Sequence, residues 1–265
     1  MADVPARSLE QRPEHRADYG QGGRIGIGTP QANPTVEAEM AIALPRSCAL
    51  AATRLRSTAA TPAARLEAYL EGLGETLESY DSYRPDVFGF ACTGSSYLVG
   101  HEREEAIVAQ ASARAGYPVI TATHAIDDCL SRIDARRIAV IAPYPEDLIA
   151  AGERYWRAHG YEIAALHRIR TAGSDTRGIY ALGSSDAADA LAGLDLDGLD
   201  AVLLSGTGLP TLRLLATWQG PVPLFSSNLC LAARLFEYCN PQVRLDPRRL
   251  HIPGLATRCA EAGIA

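Results

Sequence analysis

A cysteine followed by small hydroxyl residues is the feature of this sequence best suited to chemistry. Cys92 comes directly after the apolar run 87–91 and is followed by Thr93, Gly94 and Ser95. A short apolar run that ends in such residues predicts a buried strand and a tight turn. In open α/β sheets, ligands bind at the carboxyl ends of the strands. Cys92 is therefore expected at a strand tip, where a thiol can act as nucleophile or proton donor.

The same pattern recurs later in the chain without the cysteine. Segment 200–208 aligns with segment 86–94 without a gap, and Gly206 then falls where Cys92 stands. Segments 24–30 and 137–143 form a second pair in the same order, and a third, looser pair lies further along. Three collinear pairs indicate an internal duplication of about 110 residues. The duplication predicts two related domains, with position 92 opposite position 206.

The elements that must position these residues alternate along the chain. Short apolar runs alternate with segments of helical spacing, which predicts parallel sheets covered on both faces. The expected fold is α/β, with two pseudosymmetric domains, each a parallel sheet flanked by helices, and the active site in the cleft between them. The first domain is predicted at 24–122, joined by the segment 229–265, and the second at 123–228. Residues 1–23 are predicted to be a flexible extension.

Composition excludes several classes of chemistry. The 265 residues carry a net charge of −6, and all 25 basic residues are arginine. Without lysine, the chain has no pyridoxal-phosphate Schiff base, P-loop or aldolase lysine. The chain has no basic block and no apolar run of the ~18 residues that a membrane span needs, so neither nucleic acid nor membrane is an expected partner. The start of the chain lacks an apolar signal region, and we expect a cytoplasmic location.

The cysteine and histidine spacings predict neither a metal site nor disulfides. The six cysteines include no C-x-x-C pair, and no two histidines have the spacing typical of zinc sites. Apart from Cys92, the cysteines are expected to be small buried hydrophobic residues. His101 and His124 are expected to be exposed or packed on helices rather than catalytic. The pair Gly26 and Gly28 lacks the third glycine of a dinucleotide fingerprint, so no nucleotide cofactor is expected.

Neutral hydrogen-bond donors from both copies follow the predicted strand ends. Such donors suit a carboxylate, and they stabilise the enediolate that forms when the carbon beside a carboxylate becomes carbanionic. A helix that starts at Cys92 would also lower the pKa of its thiol. The expected site comprises Cys92, Thr207 and Gly206 at the catalytic positions, and Asn33, Thr93, Gly94, Ser95, Tyr144, Gly208 and Asn228 as substrate-binding residues.

Four short segments, 29–37, 88–93, 139–144 and 203–209, occur in an order that resembles the aspartate/glutamate racemase superfamily, within it the maleate isomerase and arylmalonate decarboxylase branch. The resemblance covers about residues 24–240. It implies chemistry without metal or cofactor, a small carboxylic acid as substrate, and a homodimer. It also implies that Asn33 and Tyr144 contact a substrate carboxylate.

The sequence departs from this superfamily at Gly206. Its racemases and maleate isomerases carry a cysteine in each half, at positions 92 and 206 of this chain. Two-base racemisation needs an acid and a base on opposite faces of the carbon, and glycine can be neither. The main hypothesis is therefore an arylmalonate-decarboxylase-like reaction, in which Cys92 protonates an enediolate held by amides and hydroxyls. Those decarboxylases have their cysteine in the second half, so the handedness of the product would be inverted.

Two alternatives to the decarboxylase remain open. In a maleate-type cis-trans isomerase, Cys92 would be the nucleophile, and Thr207 or water would replace the missing second cysteine. In a non-catalytic protein, the same donors would only bind a small dicarboxylate. Substitution of Cys92 distinguishes these cases, because an enzyme would lose turnover whereas a binding protein would keep most of its affinity.

Overall fold

The computed structural model of the protein describes residues 18–171, 173 and 175–264. Within these residues the chain forms two four-stranded parallel sheets with the same strand order, β2-β1-β3-β4 and β6-β5-β7-β8. This repeat confirms the predicted pseudosymmetric α/β fold. The strands are β1 (Arg24–Pro30), β2 (Ala49–Leu55), β3 (Val87–Phe90), β4 (Val119–Thr121), β5 (Arg137–Ala142), β6 (Glu162–Arg168), β7 (Ala201–Leu204) and β8 (Leu224–Ser226).

The two candidate site positions follow equivalent strands. In the first sheet, Phe90 ends β3 and pairs with Gly28 of β1. In the second sheet, Leu204 ends β7 and pairs with Ile141 of β5. Cys92 and Gly206 therefore each lie two residues beyond an inner strand, as the internal alignment predicts.

Helices flank both sheets, and two long predicted helices are each divided in two. The spacing of apolar residues predicts one helix over 62–80, and a second is expected over about 95–115. The first is interrupted at Gly72 and the second at Gly100. Gly100 has a φ of +82°, a conformation that L side chains rarely adopt, so one helix ends there and a new one starts. The first half contains α1 (Thr35–Ala43), α2 (Pro62–Glu71), α3 (Leu73–Glu78), α4 (Thr93–Val99), α5 (His101–Ala115) and α6 (Ala122–Ser131).

The second half also has more helical structure than the sequence predicts. Residues 171–184 are expected to be loop, yet Thr176–Ala181 form a 3₁₀ helix capped by the Asp175 carboxylate, which accepts the Arg177 N–H. The C-terminal segment is expected to be irregular but ends in a short helix. The remaining helices are α7 (Glu146–Ala158), α8 (Ser184–Ala192), α9 (Leu212–Thr217), α10 (Ser227–Cys239) and α11 (Leu255–Glu261).

The helix α10 follows the second sheet in sequence but packs against the first. A Cβ atom at Gly89 of β3 would lie 2.7 Å from Leu235 Cδ1, so only glycine lets this helix approach the strand so closely. The predicted domain boundaries stay a prediction. The predicted N-terminal extension lies outside the described residues up to position 17. Beyond that, the Gly22 N–H donates to the Ser47 carbonyl over 2.9 Å. None of the helices described is both long and apolar enough to cross a membrane.

Candidate active site

Cys92 is buried where β3 passes into α4. The Ala91 N–H still donates to the Gly28 carbonyl, as a strand residue would, and Cys92 is the extended residue before the first turn of α4. Its side chain is only 4% exposed. The Cys92 Sγ accepts a hydrogen bond from Ser95 Oγ over 3.1 Å, and the N–H groups of Gly94 and Ser95 also donate to the sulfur. The thiol is therefore held in one place by donors from the start of the helix.

Burial sets the protonation state of Cys92. Desolvation raises the pKa of the thiol above its ordinary value, and the hydrogen bonds from Ser95 and Gly94 oppose this only in part. The positive charge of Arg65 also favours the thiolate. The lowered pKa expected from the sequence is therefore wrong, because burial outweighs a helix of only seven residues. In the ligand-free protein the thiol is mainly protonated at neutral pH.

Hydroxyl and amide groups from both halves meet around the tip of β3. Thr93 Oγ1 lies 2.5 Å from the Tyr144 hydroxyl, which follows β5 in the second half. Thr207 Oγ1 donates to the Ala91 carbonyl over 2.9 Å and accepts from Asn33 Nδ2 over 3.3 Å. The fold thus brings together five predicted residues from four separate segments: Asn33, Cys92, Thr93, Tyr144 and Thr207.

Gly206 lies next to Tyr144 in this arrangement. Its φ is +123°, and its N–H donates to Ser227 Oγ over 3.0 Å. A Cβ atom at this position would lie 3.4 Å from the Tyr144 hydroxyl and 3.3 Å from Pro143 Cδ. Since Tyr144 contacts Thr93, position 206 is connected to the residue beside Cys92 through one side chain. No acid or base projects from position 206 itself.

Two predicted glycines lie against the surrounding walls. A Cβ atom at Gly94 would be 3.3 Å from both Leu66 and Leu148. A Cβ atom at Gly208 would be 2.8 Å from Tyr180 Cε1, so glycine lets the 3₁₀ helix lie directly on this loop. The Gly208 carbonyl also accepts from Thr35 Oγ1 over 2.9 Å. These glycines permit close packing, and Gly94 additionally offers its N–H to the sulfur.

Asn228 holds the main chain of Thr207 in place. Its Nδ2 donates to the Thr207 carbonyl over 3.0 Å and to Glu39 Oε2 over 2.8 Å. Its amide nitrogen is therefore engaged by protein groups, and the contacts give Asn228 a positioning role for Thr207. The sequence predicts it to bind substrate directly.

Glu39 is a buried acid that the sequence analysis missed. It lies on α1 of the first half and accepts from the N–H groups of Thr211 and Leu212, over 2.5 and 2.8 Å, and from Asn228. Burial raises the pKa of Glu39, although all these donors oppose the shift. In the sequence it stands between alanine and methionine on a helix, with nothing local to distinguish it.

Arg65 brings positive charge to the site. It lies on α2, with a side chain only 10% exposed, and its Nη2 is 2.7 Å from Asp175 Oδ1. Burial would raise the pKa of Asp175, yet the hydrogen bonds from Arg177 and Arg65 lower it to about 2. The pair joins α2 to the 3₁₀ helix, and Tyr180 of that helix interacts electrostatically with Cys92. No sequence signal distinguishes Arg65 from the other arginines.

A hollow of about 300 Å³ opens between α2 and the start of α7. Leu66 and Leu148 form part of its wall, and both side chains also lie 3.3 Å from a Cβ atom placed at Gly94. The volume suits a small organic ligand. Two side chains of its wall therefore also lie next to the loop that follows Cys92.

Comparison with known proteins identifies relatives over most of the chain. A family model described as arylmalonate decarboxylase matches residues 26–233. The chain is 28% identical to the maleate isomerase of Pseudomonas putida over 194 residues, 69% of this chain and 76% of that protein. It is also 28% identical to the maleate isomerase of Nocardia farcinica over 204 residues, 73% of this chain and 80% of that protein. These matches confirm the branch that the four segments resemble.

Solved structures share the fold. The maleate isomerase Iso from Pseudomonas putida S16 superposes with a TM-score of 0.74 at 22% identity, covering 82% of this chain and 92% of that one. An arylmalonate decarboxylase superposes with a TM-score of 0.69 at 16% identity, covering 85% and 96%. A mutant of Nocardia farcinica maleate cis-trans isomerase with a covalently bound succinylcysteine intermediate has a TM-score of 0.73 at 25% identity, covering 82% and 92%.

Proposed function

Because the chain belongs to the arylmalonate decarboxylase family, within the aspartate/glutamate racemase superfamily, we propose that its site isomerises a maleate-like cis-enedioate, with Cys92 as nucleophile. The observation that carries the proposal is a buried thiol at the tip of β3, surrounded by donors from both halves. The decarboxylase hypothesis is less well supported, since the curated relatives that cover more than two thirds of this chain are maleate isomerases.

Substrate binding replaces hydrogen bonds that the protein now makes with itself. The Thr93–Tyr144 and Asn33–Thr207 contacts each join two groups that can instead turn to a carboxylate oxygen. These are neutral donors, and a dianionic substrate also needs positive charge nearby. Arg65 supplies it, because its charge favours both a second carboxylate and the thiolate of Cys92.

The reaction starts from the thiolate, so the thiol proton has passed to water before the carbon is attacked. The sulfur adds to one carbon of the double bond, and the π electron pair moves onto the neighbouring carbon and its carboxylate. This gives an enediolate, which the surrounding hydroxyl and amide donors stabilise. The former double bond is now single and rotates. The electron pair then returns to form the trans double bond, and the thiolate leaves, so atoms and charge balance.

Gly206 is compatible with this route because no carbon has to be protonated, in contrast to the saturated succinylcysteine adduct of the Nocardia farcinica mutant. The enediolate itself permits rotation, and it collapses to the trans acid without an acid on the second half. The Tyr144 hydroxyl, close to the Gly206 position, needs only to donate a hydrogen bond to oxygen. Burial raises its pKa well above the ordinary value, which suits a donor that keeps its proton.

Decarboxylation of an arylmalonate-like acid is the second candidate, and Gly206 is also the observation that favours it. With a side chain that can donate a proton at position 92 and none at position 206, a carbanion would be protonated by one group only. In that reaction the carbon–carboxylate bond breaks, carbon dioxide leaves, and Cys92 donates its proton to the enediolate carbon. A raised thiol pKa helps here, because the proton is present at neutral pH.

The experiment that tests these functions is proton NMR of the enzyme with maleate and, separately, with phenylmalonate. Fumarate formed from maleate by the wild-type enzyme, and lost in Cys92→Ala, supports the isomerase. Cys129→Ala is the matched control, because Cys129 is equally buried on α6, away from the hydrogen bonds that form the site. Phenylacetate formed from phenylmalonate, with maleate left unchanged, would instead support the decarboxylase function. Fumarate formation that persists in Cys92→Ala would overturn the role of the thiol.

A further inference from the structure

A second group of chemically active side chains lies away from Cys92, on the helices of the first half. His101 and Glu105 lie one turn apart at the start of α5, and His124 is on α6. Each can offer one ligand atom such that the three atoms lie within 4.8 Å of one another. The sequence shows no metal-site spacing here, because the two histidines are 23 residues apart and only helix packing brings them together.

Two of the imidazole nitrogens in this group have no hydrogen-bond partner in the described part of the protein. Among the described residues, His101 Nδ1 and His124 Nε2 are buried atoms without a hydrogen-bond partner. Buried polar atoms are normally satisfied, and an orphaned ring nitrogen is a free donor site for a metal. Glu105 reaches the group from the exposed side, where its Oε1 lies 3.6 Å from His101 Nε2.

A buried acidic side chain lies next to this group. Glu104 is fully buried, and its carboxylate accepts from Ser96, Thr123 and Tyr155 over 2.6 to 2.8 Å. Its Oε1 is 4.0 Å from His124 Nε2. A carboxylate this close to the nitrogen offered to the ion would attract a cation bound there.

We propose that His101, Glu105 and His124 form a binding site for a divalent transition-metal ion, with Zn²⁺ the ion that the ligands suit best. Two imidazoles and one carboxylate are a common zinc ligand set, with the fourth position left to water. Tetrahedral zinc needs ligand atoms about 3.3 Å apart. The side chain of Glu105 is 46% exposed and can swing inward to close that distance. The ion would cross-link α5 to α6 and would not enter the reaction at Cys92.

The site is tested by titrating the chelator-treated full chain with ZnCl₂ in a calorimeter. We expect one tight ion per chain, and at least about tenfold weaker binding in Glu105→Gln and in His124→Gln. His251→Gln is the matched control and should bind as the wild type does, because His251 is an exposed histidine outside the cluster. Glu105→Gln changes an exposed side chain, so it tests the site without risk to folding, and circular dichroism checks both variants.

Cobalt distinguishes this site from adventitious binding at cysteine. A Co²⁺ complex with nitrogen and oxygen ligands lacks the intense thiolate charge-transfer absorption that cysteine ligation gives. Absence of that absorption, together with weaker binding in the two variants, supports the proposal. Wild-type affinity in Glu105→Gln and His124→Gln, thiolate absorption, or no tight binding by the wild-type chain would each overturn it.

Discussion

Thr207 donates its hydroxyl hydrogen bond to the main-chain carbonyl of Ala91, the residue directly before Cys92, over 2.9 Å. The two residues are 116 positions apart and belong to different halves. The bond therefore fixes the end of the strand that carries the thiol to the loop that carries Gly206. Any change in how the halves meet is transmitted to the sulfur, so the reactivity of Cys92 depends on residues of both halves.

Removal of the Tyr144 hydroxyl should impair the chemical step more than substrate binding. In Tyr144→Phe, the hydroxyl that shares a hydrogen bond with Thr93 Oγ1 is lost, while the ring can keep its edge-to-face packing on Tyr97. We expect kcat to fall about 100- to 1000-fold, the usual cost of one oxyanion donor. Steady-state kinetics with maleate measures this change in kcat. Tyr161→Phe is the control, because the Tyr161 hydroxyl donates its hydrogen bond to Asp127 on α6. A rise in KM alone would mean that Tyr144 only binds the ground state.

Fumarate formed in deuterated buffer should carry no deuterium on carbon. The route through an enediolate that rotates and collapses never protonates carbon, and Gly206 offers no acid that could do so. Proton NMR and mass spectrometry of the product measure the isotope content, with fumarate incubated under the same conditions as control. Monodeuterated fumarate would show that a protonated carbon intermediate forms, and would require an acid other than residue 206.

Loss of the Arg65 charge should move the pH profile of kcat/KM to higher pH. Burial raises the pKa of the Cys92 thiol and Arg65 opposes it, so Arg65→Gln raises the pKa further and leaves less thiolate at neutral pH. Because the thiolate is the reactive form, the rate at pH 7 falls about tenfold for every pH unit by which the thiol pKa rises. Arg65→Lys keeps the charge and should restore much of the profile. Arg103→Gln, which changes an exposed pair with Glu71, should leave it unchanged.

Glu39 should make the protein less stable as pH rises. Its pKa is raised in the folded state above the ordinary 4.5, so between these two values the folded chain binds more protons than the unfolded chain. The stability that the bound proton contributes is complete below pH 4.5 and is lost as pH rises through the raised pKa. The loss is about 1.4 kcal/mol per pH unit in that interval.

Urea unfolding at several pH values, with Glu39→Gln as the variant, isolates this contribution. Any advantage in unfolding free energy of the wild type over the variant should shrink or reverse as pH rises above 4.5, because only the wild type loses the proton. Glu37→Gln on the same helix is the control, because Glu37 is partly exposed and pairs with Arg54. A difference that does not depend on pH would mean that Glu39 titrates normally despite its burial.

The strand tips can be predicted from the sequence because the signals are local. An apolar run followed by glycine and hydroxyl residues marks both Cys92 and Gly206, and parallel strands bring their carboxyl ends to one edge. The duplication then places one tip in each half. The apolar run 87–91 predicts strand β3 to within one residue of its observed end, Phe90. Each of the four segments that resemble the superfamily is also a short, continuous stretch of sequence.

The supporting contacts cannot be predicted in this way, because they join residues far apart in the chain. Arg65 and Asp175 are separated by 110 positions, and Glu39 and Thr211 by 172. The sequence predicts the wrong direction for the pKa of Cys92 for a related reason. The helix start is visible in the sequence, whereas the burial that outweighs it depends on how the two halves close over the thiol.

The common strand order of the two sheets has a consequence for substrate orientation. Two identical halves around a pseudo-two-fold axis would treat both ends of a symmetric diacid alike, and either end could react. Here the strand of one half leads to a thiol and the equivalent strand of the other half leads to glycine. In the proposed reaction, a bound diacid would therefore present one olefinic carbon to Cys92 and the other to Gly206. Divergence of the two copies would in this way let the protein distinguish two chemically identical atoms of a symmetric diacid once it is bound.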